Sequence, residues 1–103
     1  MSSRVSPEAR FFAIAARCQP AVEIAQDPRR LAIVSPIELE LALGSIYEAI
    51  APYERDPNTG SFVVRRSGES VPPRTATTLN NLSAARDRLE DELLRRRTPY
   101  GSA

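Results

Sequence analysis

Ser35-Pro36-Ile37-Glu38-Leu39-Glu40-Leu41-Ala42-Leu43-Gly44-Ser45-Ile46-Tyr47-Glu48-Ala49-Ile50 decides the reading of this chain, because it predicts a helix with two apolar faces. Ser35 is an N-cap residue, Pro36 stands at the first helical position where a missing N–H costs nothing, and Glu38 completes a capping box. Leu39, Leu43, Ile46 and Ile50 recur at helical spacing, flanked by Ala42 and Ala49, and Pro52 stops the run. At 100° per residue, Ile37 and Leu41 fall on the opposite side, in line with Gly44 and Glu48. Two readings follow. Either this is a central helix covered on its second side by the rest of the chain, or Ile37, Leu41 and Gly44 form a contact surface for another subunit, the glycine permitting close approach. Between Ser35 and Pro52 there are three glutamates, Glu38, Glu40 and Glu48, and no basic residue, so the exposed rim is acidic.

Working outward from this helix, the predicted architecture is mainly α with a small β-hairpin (α+β). Three principal helices are expected, with the hairpin inserted between the second and third. Residues 1–103 read as a single small domain: a polar lead over 1–5, a helical part over 6–52, a hairpin arm over 53–73, a C-terminal helix over 74–97 and a polar tail over 98–103. Ser6-Pro7-Glu8 repeats the cap-plus-proline start, and Ala9 to Cys18 is predicted helical, with Phe11, Ile14, Ala15 and Cys18 facing the core. Pro20 is expected to break or kink it, leaving a further turn or two over Ala21 to Gln26. Asp27-Pro28 is a third start signal, and the residues after it, 29–34, are compatible with a short helix or a strand, the cap favouring helix.

Asp56-Pro57-Asn58-Thr59-Gly60 is a dense turn signal between Tyr53-Glu54-Arg55 and Ser61-Phe62-Val63-Val64-Arg65, the pattern of a hairpin. Such a hairpin is marginal alone, so it either packs on the helices or projects toward a neighbour. Its Asp-x-Asn-x-Gly spacing lacks the remaining ligands and distal glutamate of a calcium loop. A second turn at Ser67-Gly68-Glu69-Ser70 leads to Val71, the start of a third short strand or an extended connection. The last helix is predicted from Thr77 or Thr78 to about Arg97. It carries Leu79, Leu82, Leu89 and Leu93 in an a/d-like pattern that Arg86 interrupts, and Asp91–Arg95 and Glu92–Arg96 are spaced as i, i+4 pairs.

Composition excludes more than it suggests. All 14 basic residues are arginine, and histidine is absent. The usual general base, the commonest transition-metal ligand, Schiff-base chemistry and the P-loop lysine are therefore missing. The single cysteine, Cys18, rules out an internal disulfide and a cysteine metal cluster, and its apolar surroundings mark it as a buried small hydrophobe. No apolar run is long enough to span a bilayer and no signal-peptide region is visible, so a cytoplasmic or intracellular protein is expected.

The function these features predict is a non-enzymatic structural or adaptor subunit of a larger assembly, with no catalytic residue, cofactor, metal or small-molecule substrate. A phage virion component of the head–tail connector or neck type is suggested by analogy of layout. The expected partners are copies of the chain or other subunits. The expected contact residues are Ile37 and Leu41 with Gly44, Phe62 and Val64 of the hairpin, and Arg95, Arg96, Arg97 and Tyr100 at the C-terminal end. The alternative is a small regulatory or nucleic-acid-associated protein using Arg29, Arg30, Arg65, Arg66 and the 95–97 cluster on phosphate. A net charge of only +1 and the want of clustered aromatics weigh against it.

Overall fold

Three of the first four helices open on a capping side chain followed directly by proline. In the computed structural model, which describes residues 6–97, Ser6 Oγ accepts from Ala9 N at 3.1 Å to start α1 (Pro7–Arg17). Asp27 Oδ1 accepts from Arg29 N and Arg30 N at 3.1 and 3.3 Å to start α3 (Pro28–Ile33), and Ser35 Oγ accepts from Glu38 N at 3.1 Å to start α4 (Pro36–Ile50). Between α1 and α3 lies α2 (Gln19–Gln26), with Pro20 in its first turn. The described residues thus hold five helices where three principal ones were expected. Pro20 does not merely kink the first helix. Cys18 ends α1, and a proline in the opening turn of α2 displaces no backbone bond. The segment 29–34 is helical through Ile33, as its cap favoured.

Strands β1 (Tyr53–Arg55) and β2 (Phe62–Val64) pair antiparallel, with Tyr53 opposite Val64 and Arg55 opposite Phe62. Gly60 takes a φ of 74°, which only glycine adopts without strain, and its N–H bonds Asp56 O at 2.7 Å to close the loop. Past the second turn, Ser70 makes a single antiparallel bridge to Val63, and no third strand forms among the described residues.

The last helix, α5 (Pro73–Arg97), matches the expected 74–97 segment to within one residue and begins about one turn before the start expected at Thr77 or Thr78. Pro72 O accepts from Ala76 N at 2.9 Å, so Pro73 occupies the first turn where it is tolerated. The extra turn buries Thr75, whose hydroxyl has no hydrogen-bond partner among the described residues. Thr75→Val, nearly the same shape without the hydroxyl, is therefore expected to stabilise the chain by about 1 kcal/mol, read as a higher urea midpoint at unchanged slope. A lower midpoint would show that the hydroxyl is satisfied.

The helices wrap one core. Leu39, Leu43 and Ile46 of α4 pack with Leu79, Leu82 and Leu89 of α5, and Phe11, Cys18 and Ile24 close the N-terminal side. The Cys18 thiol donates to Ser45 O at 3.3 Å, and burial, then the charge of Glu48, pushes its pKa up, so it is an inert core group.

The hairpin packs inward. Phe62 belongs to the core, and Tyr53 meets the Phe11 ring edge-on at 5.2 Å. The Arg55 guanidinium lies 4.4 Å over the Phe62 ring and donates to Gly60 O at 2.8 Å and Asn80 Oδ1 at 3.0 Å, tying the turn to α5. Arg65 bonds Ala51 O and Tyr53 O, both at 3.2 Å, and clamps the hairpin to the C-terminal end of α4.

Candidate protein–protein interface

α4 buries one stripe and leaves the other bare. Leu39 and Ile46 are fully buried, whereas Ile37 is 72% and Leu41 66% exposed. The first of the two readings, in which the rest of the chain covers this second face, is thereby overturned for the described residues. α1 and α5 pack chiefly on the opposite stripe, that of Leu39, Leu43 and Ile46. Gly44 is also exposed, and a Cβ built there would meet nothing within 4 Å, so no contact inside the chain requires glycine at this position.

Ile33, the last residue of α3, is a further exposed apolar side chain, at 82%. Sequence reasoning missed it. Ile33, Ile37 and Leu41 are spaced four apart, but the bend at Val34-Ser35 separates two helices and hides the periodicity.

The rim is acidic and uncompensated. Glu38, Glu40 and Glu48 are all exposed, and none forms an ion pair among the described residues. On one flank Leu41 and Glu38 border a shallow groove of about 250 Å³ that also takes in Arg17 and Arg30.

The other expected contact residues lie elsewhere. Phe62 is 7% exposed and part of this chain's own core, so it does not belong to an exposed contact surface, contrary to expectation. Val64 is half-buried beside it. The strand Phe62-Val63-Val64 is apolar at every position, so alternation gives no sign of which face points inward.

Nor is the arginine cluster a free basic patch. Arg95 and Arg96 both grip Glu92, which is itself 7% exposed, Arg96 Nε donating at 2.8 Å. Arg95 turns to Glu92 in place of the expected Asp91. Arg96 also donates to Leu31 O at 3.0 Å, capping α3, as Arg88 does to Ala25 O at 3.4 Å near the end of α2. Burial pushes the Glu92 carboxyl up, but hydrogen bonds and charge from Arg95 and Arg96 outweigh it and hold it below its ordinary value. Arg97 is exposed, and Tyr100 lies outside the described residues.

A second concavity, about 590 Å³, opens where the end of α4, the hairpin and α5 meet. Arg55, Arg65 and Arg86 line it against one acid, Glu54, over a floor of Tyr47, Tyr53 and Phe62. Arg65 pairs with Glu54 at 3.2 Å and Arg86 with Asp87 at 3.1 Å, while Arg55 is held by neutral groups alone.

Among the described residues no group of three or more His, Cys, Asp or Glu side chains is placed to hold a metal ion, and no helix is long and apolar enough to cross a membrane. Comparison with protein-family models, curated proteins and solved structures finds no match for the chain.

Proposed function

We propose that this chain is a non-enzymatic assembly subunit that works through protein–protein contact, with the second face of α4 as its contact surface and further copies of the chain as its partners. The observation that carries the reading is the exposure of Ile33, Ile37 and Leu41, which with Leu94 on α5 are the large aliphatic side chains the core leaves exposed among the described residues. Contiguous exposed apolar surface rimmed by charge is the mark of an interaction site. Burying what remains exposed of Ile37 and Leu41 contributes roughly 2–4 kcal/mol before the cost of association.

What favours assembly over the nucleic-acid alternative is the use made of the arginines. Arg95 and Arg96 hold Glu92, Arg96 also caps α3, and Arg65 clamps the hairpin, so three of the seven expected phosphate contacts are committed within the chain. A virion head–tail junction is one setting for such a subunit, by analogy of layout.

Light scattering on a sizing column, with the absorbance ratio recorded, tests the reading. A species heavier than the 11.4 kDa chain, free of nucleic acid, is expected, and Leu41→Glu should return it to monomer with its helical signal intact. A wild-type monomer at millimolar concentration, or a Leu41→Glu variant that associates as before, overturns it. Co-eluting nucleic acid that high salt removes would overturn it in favour of the alternative.

A further inference from the structure

We propose that copies of the chain associate head to tail: the acid-rimmed apolar face of α4 on one copy seats in the arginine-lined cleft beneath the hairpin of the next. This rests on the reading of the α4 face as a contact surface and adds what that face meets.

Charge makes the argument. The α4 face offers Ile37 and Leu41 amid Glu38, Glu40 and Glu48, with no basic residue on the helix itself and Arg17 and Arg30 confined to the groove on the Glu38 flank. If the face paired with its own copy, as two-fold symmetry requires, it would crowd six glutamates into one contact, two copies of three. Like charges juxtaposed across an interface cost several kcal/mol.

The cleft has the opposite character. Of its three arginines, Arg65 pairs with Glu54 and Arg86 with Asp87, leaving Arg55 without an acid, and tyrosine and phenylalanine rings add apolar lining. Arg55 is the anchor. Gly60 O, Asn80 Oδ1 and the Phe62 ring fix its guanidinium in place without neutralising it, so a carboxylate arriving from outside meets a positioned donor whose charge is unmatched. Tyrosine and arginine are also the side chains that carry most binding energy at protein interfaces.

Because the two surfaces differ, occupying one leaves the other open. Such a contact is heterologous and propagates, closing into a ring when the rotation per copy permits and otherwise running on as a filament.

The test mixes two variants, each crippled on one surface. Leu41→Glu removes the α4 face. Arg86→Glu reverses a cleft charge whose own partners, Asp87 and Glu90, are partly exposed surface acids. Arg86→Gln serves if Arg86→Glu loses its far-UV helical signal. Each variant alone is expected to run as a monomer, and the mixture to form a two-chain species that grows no further, because one good face meets one good cleft. If the cleft variant still associates while Leu41→Glu does not, the α4 face pairs with itself. That result overturns the head-to-tail contact and leaves the assembly reading standing. Two monomeric variants that stay monomeric on mixing also overturn it. If neither variant changes the association of the wild type, both readings fall.

Discussion

Leu39→Ala is expected to remove about 3–5 kcal/mol of stability, whereas the same substitution two residues on, at Leu41, changes monomer stability by less than about 0.5 kcal/mol and weakens association instead. The contrast follows from the two faces of α4. Leu39 is fully buried amid Leu43, Ile46 and the leucines of α5, so truncation loses its transfer free energy and leaves a cavity that the packed helices close only in part. Leu41 is 66% exposed and leaves no such void. For a domain whose net stability lies in the usual range of about 5–15 kcal/mol, the first change brings the chain close to its unfolding limit. Urea unfolding, at a concentration low enough to keep the chain monomeric, reads both effects. Equal losses at the two positions would mean that the second face of α4 is covered within the chain.

Glu92→Ala ranks second, with an expected cost of about 2–3 kcal/mol, less than a fully buried pair because Arg95 remains solvated. Removing the carboxylate leaves Arg96, three-quarters buried, without its acid and loosens its hold on Leu31 O at the end of α3. The same group sets an acid limit on stability. Its folded pKa lies below the ordinary glutamate value of 4.5, so the unfolded chain binds a proton more readily as pH falls. The contribution is complete above that ordinary value and is lost as pH drops through the lowered one. Glu92→Gln should therefore lower the thermal midpoint at neutral pH and narrow the gap to the wild type as the solution becomes acidic. A gap that stays constant with pH would sink this account.

Much of the fold was legible because its signals are local. Ser6, Asp27 and Ser35 each precede proline and each caps a helix, and the two-sided spacing of apolar residues in α4 is matched by the exposure of Ile37 and Leu41. The misreadings arise where a local signal had a distant partner or more than one meaning. The run from Pro73 to Thr78 is poor in helix formers and becomes helical because Thr75 and Leu79 are buried against the core. Of the candidate site, Ile37, Leu41 and Gly44 were found from spacing. Ile33 was hidden by a chain bend, and Phe62 by a strand apolar on both sides. The use of Arg95 and Arg96 as a clamp was invisible, because Arg96 reaches a carbonyl 65 residues earlier in the chain.

That long reach bears on the order in which the molecule forms during synthesis. α2 and α3, at eight and six residues, are too short to persist on their own propensity. The arginines that bond their terminal carbonyls belong to an element made much later, and α5 also supplies the leucines that α4 packs against. The capped starts of the early helices can flicker into shape on a growing chain and α2 can meet α1 and α4, but the bonds to their terminal carbonyls wait for Arg88 and Arg96. The N-terminal half therefore matures only when the end of α5 docks, and an incomplete chain presents no finished α4 face to its neighbours.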